Sequence, residues 1–229
     1  MSWANIIEIL KGKNGLEFGG TTELFSLPKH RMLLYPYVKL DGANKFDNNH
    51  FNGLLNENYN TGYGIGKRYN CDASNELQIS QIGKKFDFIV TSHVIEHIAN
   101  PIKAIKLWEN KLLNEDGYIL SIIPFYKECF DRNRPLTTIN HLIEDYKNNV
   151  GEDDKTHIEE QKKLHDWSYG GHKEFYSLCE NNELTRVVHH HTFNKNNIKD
   201  LFLYLNMDIL YLFNHDPLNI VCLTKKING

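Results

Sequence analysis

No apolar run in this 229-residue chain approaches the roughly 18 residues of a membrane span. The first residues also lack the basic, apolar and small-residue succession of a secretory signal. These absences predict a cytoplasmic protein with no membrane span. Cysteine is scarce, and Cys71, Cys129, Cys179 and Cys222 never form a C-x-x-C pair. That argues against a zinc ribbon or a disulfide framework and for reduced, packed thiols. Net charge is small as well: at −3 it gives no global attraction to nucleic acid or anionic lipid. A small soluble molecule or a glycan suits this balance better, with no nucleic-acid partner.

What the chain does have is one dense unit, Lys85 to Phe125. It reads as a buried strand (Phe86 to Val90), a polar corner at Thr91-Ser92-His93, and an amphipathic helix carrying Ile102, Ile105, Leu107, Leu112 and Leu113. A turn at Asp116-Gly117 and a second buried strand, Tyr118 to Ile123, complete a βαβ unit. Ligands of open α/β sheets sit beyond the carboxyl ends of the strands, which directs attention to His93, Glu96, His97 and the residues after Pro124.

Upstream, Ser2 to Lys11 is expected to form a helix with Trp3, Ile6, Ile7 and Leu10 on its apolar side. Gly15 to Thr22 reads as a short strand breaking into a glycine corner at Gly19-Gly20, with Glu17 able to order the loop. Tyr37 to Leu40 reads as a strand ending at Asp41-Gly42, 24 residues after Glu17. An acidic residue about 20 positions past a glycine corner is the spacing that holds ribose hydroxyls. Residues 44–60, with Phe46, Phe51, Leu54 and Leu55 as anchors, are expected to be loop. Gly62 to Lys67 resembles half a phosphate loop but lacks the full motif and a following apolar helix, so a turn is expected. Asp72, in a polar strand end before Leu77 to Ile82, could accept a hydrogen bond from an exocyclic amine.

From residue 126 to 192 the alternation of strand and helix stops. This segment holds Arg132 and Arg134, then helices carrying His141, Glu144 and Asp145 and His157, Glu159, Glu160, His165 and Asp166. Its end is the triplet His189-His190-His191. Segments of this length commonly act as lids or binding elements. Asn194 to Leu205 should be a helix, and two strands, Met207 to Phe213 and Leu218 to Thr224, should form an antiparallel hairpin through Asn214 to Pro217.

LEFGG at 16–20, KLDGAN at 39–44, CDAS at 71–74 and HVIEHIANPIKAIKLWENKLLNEDGYIL at 93–120 together resemble a class I S-adenosylmethionine-dependent methyltransferase. The likeness covers most of residues 15–125 and about 193–225. One departure is that Thr21-Thr22 follow the glycine pair where the family carries further alternating glycine. The insertion, through DRNRPLTTINHLIEDY and HHHTF, looks similar to methyltransferases found beside or fused to glycosyltransferases. The resemblance implies one Rossmann-like α/β domain over residues 1–229. Its sheet is mostly parallel with an antiparallel last strand, helices cover both faces, and a helical insertion at 126–192 caps the substrate.

The resemblance further implies S-adenosylmethionine (SAM) against Glu17, Gly19, Gly20, Asp41, Gly42, Asp72, Ala73, Ser92 and His93. The acceptor would be a sugar hydroxyl of a glycan or nucleotide-linked sugar, with glycosyltransferases of the same pathway as partners and a homo-oligomeric state left open. Such a hydroxyl needs a base or a metal to activate it. His141, Asp145, His165 and His190 are the expected catalytic groups, and His97, Arg132, Arg134 and Trp167 the expected substrate contacts. His165, Asp166, His189 and His191 are the expected ligands of a Mg²⁺ or Mn²⁺ ion. Competing classes are a non-catalytic binding or scaffold protein of the same fold, a methyltransferase of another small molecule, and a zinc hydrolase using His93-x-x-Glu96-His97.

Overall fold

The computed structural model describes residues 3–45, 58–169 and 174–227. The anchors Phe46, Phe51, Leu54 and Leu55 lie outside the described residues. In chain order the elements are α1 (Trp3–Leu10), β1 (Asn14–Phe18), α2 (Glu23–Ser26), β2 (Lys39–Asn44), β3 (Asn58–Asn60), β4 (Ile65–Asn70), α3 (Glu76–Gln81) and β5 (Phe86–Ser92). Next come α4 (Pro101–Leu107), β6 (Leu113–Pro124), α5 (Ile139–Asn148), α6 (Lys155–Leu164), α7 (Phe175–Glu180), α8 (Asn182–Thr185), α9 (Lys195–Tyr204), β7 (Met207–Asn214) and β8 (Asn219–Lys226). Among the described residues no helix is long and apolar enough to cross a membrane.

One sheet runs β3-β4-β2-β1-β5-β6-β8-β7. The pairs from β4 to β6 are parallel, while β8 runs antiparallel to both β6 and β7. This is the Rossmann-like arrangement the sequence led us to expect. Both faces are covered: Ile119, Ile123, Ile220 and Cys222 face α4 and α9 on one side, and Leu120, Ile122, Val221 and Leu223 face α1 on the other. Alternate residues of each strand thus point to opposite cores, which is why these strands are apolar at nearly every position.

Two local readings change. The strand expected to end at Asp41 instead starts at Lys39 and continues to Asn44, because Gly42 and Ala43 pair with Glu17 and Phe18 of β1. Its small residues suit this path, since a Cβ on Gly42 would run into the Tyr59 ring. The turn at Asp116-Gly117 is a bulge within β6: Leu113 pairs with Phe86 and Tyr118 with Phe88, so the residues between them loop outward. The half phosphate loop is the turn of the β3–β4 hairpin, where Gly62 has φ of 80°.

Parallel strands β1, β2, β4 and β5 bring their carboxyl ends to one edge. The insertion returns to that edge: the backbone N–H of His190 donates to the Glu96 carbonyl at 2.7 Å.

Candidate cofactor and active site

A cavity of about 180 Å³ opens at this edge. Phe18 and Gly19 line it from the end of β1, Ala43 and Lys45 from β2, and Cys71, Asp72 and Ala73 from β4. His93, Val94, His97 and Ile98 follow β5, and Arg186 comes from the insertion. Gly19 has φ of 78°, and a Cβ there would meet Val94 Cγ2 at 2.7 Å. Only glycine fits that corner without strain.

Glu17 shapes the corner from behind the cavity wall. Fully buried, it accepts hydrogen bonds from the hydroxyls of Thr22 (2.6 Å), Tyr35 (2.9 Å) and Tyr59 (2.6 Å). Burial pushes its carboxyl above the ordinary value, although the three hydroxyls pull the other way. Gly20 contributes its carbonyl, which accepts from Asn44 Nδ2. Asp72 is held on three sides. Arg186 contacts it directly and Lys45 stands at 3.5 Å, while Ser74 donates to Oδ1 from both N–H and hydroxyl at 2.9 Å. Burial works to raise this carboxyl, but Arg186 and Ser74 keep it below its usual value. The neighbouring Ala73 carbonyl accepts from Trp108 Nε1 at 2.7 Å.

The opposite wall carries His93, Glu96 and His97. His93, at φ of 53°, lies 2.8 Å from Asn219 Oδ1 through Nε2 and 3.8 Å from Glu96 Oε1 through Nδ1. Glu96 is fully buried, neither carboxylate oxygen has a hydrogen-bond partner among the described residues, and burial raises its carboxyl. The His97 ring meets His189 edge-on at 4.4 Å, and its Nδ1 is 3.2 Å from the Val188 carbonyl. A carbonyl can only accept, so Nδ1 carries the proton. Burial, reinforced by His189, holds the ring well below its ordinary value and therefore neutral, leaving a lone pair on Nε2.

Several expected contacts lie elsewhere. Asp41 sits three residues before the end of β2, its carboxylate engaged by Lys84 at 2.5 Å and the Lys67 N–H at 2.9 Å. Gly42 packs inside the sheet, and Ser92 is buried at the end of β5 without lining the cavity. None of His141, Asp145, His165 and His190 lines the cavity. Asp145 and His190 contact segment 96–100 instead, through Asn100 Nδ2 and the Glu96 carbonyl, and His165 packs against Phe130 and Trp167. Arg134 is buried among Asp131, Glu160 and Gln161 and cannot reach a substrate. Arg132 and Trp167 are on the outer surface, Arg132 near Asp166 at 3.8 Å and Trp167 against Tyr176.

The expected metal set also separates. His189 bonds Asp131 at 2.6 Å, and among the described residues neither His165 nor Asp166 joins a group of potential ligands. The zinc-hydrolase arrangement fails on geometry, because residues 95–97 form a single 3-10 turn after a strand and not a helix face carrying both histidines. Lys45, Val94, Ile98 and Arg186 line the cavity without having been singled out. The β2 register was the missing signal for Lys45, and nothing in the local sequence marks Arg186.

A profile of the family described as a methyltransferase domain matches residues 4–202. No curated protein matches the chain. Solved structures do, at low identity. An O-methyltransferase family 2 protein from Planctomyces limnophilus in complex with apigenin is 10% identical, with 95% of this chain and 52% of that one covered and a TM-score of 0.47. The CurJ carbon methyltransferase is 11% identical over 94% and 48%, with a TM-score of 0.46. A SAM-dependent methyltransferase from Aquifex aeolicus is 7% identical over 98% and 87%, with a TM-score of 0.49. The chain spans about half the length of the first two.

Proposed function

Since the chain belongs to the methyltransferase domain family, we propose that it binds SAM in the cavity at the strand ends and methylates a hydroxyl of a sugar. That sugar would be part of a glycan or linked to a nucleotide. The observation that carries the reading is the position of the cavity, at the carboxyl ends of β1, β2, β4 and β5, where the glycine corner lets backbone approach a ligand. Phe18, Ala43, Ala73, Val94 and Ile98 offer apolar walls for an adenine ring. Asp72 is placed to accept from its amine, sharing the carboxylate with Arg186. Asn44 replaces the expected Asp41 at the end of β2. Its Oδ1 is buried with no hydrogen-bond partner among the described residues and is the acceptor we assign to a ribose hydroxyl.

When bound, this cofactor supplies an electrophilic methyl group on a sulfonium. The protein's part is to hold an acceptor oxygen in line with that methyl and to remove its proton. We assign the base to His97, which lines the cavity and whose neutral ring has an unprotonated Nε2. His93, Lys45 and Arg186 give the mouth the polar character that suits several hydroxyls. This replaces the expectation that the base comes from His141 or Asp145.

The test is transfer of a labelled methyl group to a panel of sugar nucleotides. His97→Gln should keep affinity for S-adenosylhomocysteine and lower turnover by about 10² to 10⁴, the usual contribution of a base. Undiminished turnover in that variant would contradict the assignment. The pH profile gives a second check. A base works unprotonated, so its rate falls as pH drops through its pKa. The ring faces His93 from the end of β5, Glu96 on its own turn, and His189 and His190 from the insertion. Burial and the histidine charges set its pKa well below the ordinary value. The acid limb of kcat/KM should therefore lie well below pH ~6.5, the midpoint of an unperturbed histidine.

A further inference from the structure

The insertion brings four side chains to one point away from the cavity. His141 and Asp145 stand one turn apart on α5, His157 is on α6, and His191 precedes α9. One ligand atom from each lies within 4.8 Å of all the others. His141 Nε2 is 2.9 Å from His157 Nε2 and 3.3 Å from Asp145 Oδ2. The same oxygen is 3.8 Å from His157 Nε2 and from His191 Nε2. Donors bound tetrahedrally at 2.0 to 2.1 Å are separated from one another by about 3.3 to 3.4 Å, a spacing that the distances among His141, Asp145 and His157 bracket.

Two atoms of the group, Asp145 Oδ2 and His191 Nδ1, are buried without a hydrogen-bond partner among the described residues. Buried polar atoms left in this state call for an explanation such as an ion. The partners around the group are those that ligands need. His191 Nε2 is 3.0 Å from the Ala99 carbonyl, which fixes its proton there and leaves the lone pair on Nδ1. His157 Nδ1 is 3.1 Å from His190 Nδ1, and His190 Nε2 is 3.1 Å from Glu152 Oε2. Asn182 Nδ2 donates to His190 Nε2 at 2.9 Å, so the His190 ring is held in place behind His157. Such outer hydrogen bonds orient ligating histidines in metal sites.

We propose that His141, Asp145, His157 and His191 bind one divalent transition-metal ion of the zinc class. Three imidazoles and one carboxylate suit zinc, whereas Mg²⁺ prefers a shell of oxygens. All four positions are protein ligands and three of the residues are buried, which marks a structural site. The ion would tie α5, α6 and the 189–191 segment together beside the start of α4, since Asn100 Nδ2 also donates to the Asp145 carbonyl at 3.0 Å.

The inference does not depend on methyl transfer, because its test reads metal binding directly. The full chain is stripped with chelator, dialysed and titrated with Zn²⁺ or Co²⁺ alone. One equivalent should bind, Co²⁺ should develop the intense visible bands of a four-coordinate centre, and excess Mg²⁺ should not compete. His141 is half-exposed, so His141→Gln should fold as the parent does and weaken binding by about 10-fold or more, since loss of even an outer partner costs that much. His157→Gln should do the same, and His97→Gln should leave binding unchanged. A parent chain that binds neither ion, or His141→Gln and His157→Gln variants that bind as tightly as the parent, would reduce the group to hydrogen-bonded histidines and overturn the proposal.

Discussion

The Arg134 guanidinium, 3% exposed, donates to Asp131, Glu160 and Gln161 and to the carbonyls of His189 and His190. Such a group organises the insertion around itself. Burial raises the Asp131 carboxyl, but His189 and Arg134 outweigh it and hold the acid ionised. Arg134→Ala would leave that carboxylate short of a partner, a change that costs about 3 to 5 kcal/mol when a buried pair is broken. Urea unfolding should show the loss, whereas a substrate contact would change KM and leave stability intact. At this scale the sequence was informative about residue type and much less about partner. An arginine beside an aspartate reads alike whether it meets a ligand or a core. Gly19 and Asp72 were legible because the chain itself places them at strand ends. His97 was identified as lining the pocket, but the base we propose there rests on the Val188 carbonyl, 91 residues away, which accepts from its Nδ1.

The β5–α4–β6 unit was read mostly from its periodicity, because its strands are buried on both faces and its helix on one, although Leu113, expected in the helix, opens β6. β2 was misplaced by a few residues, and with it the ribose acceptor we propose is Asn44 in place of Asp41. Small residues such as Gly42 and Ala43 carry little hydrophobic signal, so the end of a strand built from them is hard to locate. Trp108 links this unit to the cavity. It is fully buried, stacks on Phe18 at 5.1 Å and donates to the Ala73 carbonyl, so it braces two cavity-lining residues together. Trp108→Ala should cost about 3 to 5 kcal/mol from the transfer and cavity terms, seen as a lower urea midpoint. Unchanged stability would mean that the helix is not seated on β1 as described.

Across the molecule, an unbroken series of ionic and hydrogen-bonded contacts joins the cavity to the insertion: Asp72 to Arg186, Arg186 to Glu152, Glu152 to His190, and His190 to His157. The insertion therefore does more than hang over the sheet edge. It supplies a cavity wall through Arg186 and fixes the tautomer of His97 through Val188. Long-range contacts of this kind have no local sequence pattern, which is why the density of histidine could be seen in the chain and its division into separate groups could not.

The central claim is that the cavity bounded by the glycine corner binds the cofactor and that Asp41 lies outside it. Calorimetric titration of S-adenosylhomocysteine into the parent chain, Gly19→Ala and Asp41→Ala tests this most directly. Saturable one-site binding is expected for the parent. It should be lost or greatly weakened in Gly19→Ala, where a side chain meets both a positive φ and Val94, and unchanged in Asp41→Ala. No binding by the parent, or weakened binding in Asp41→Ala with Gly19→Ala unaffected, would contradict the account.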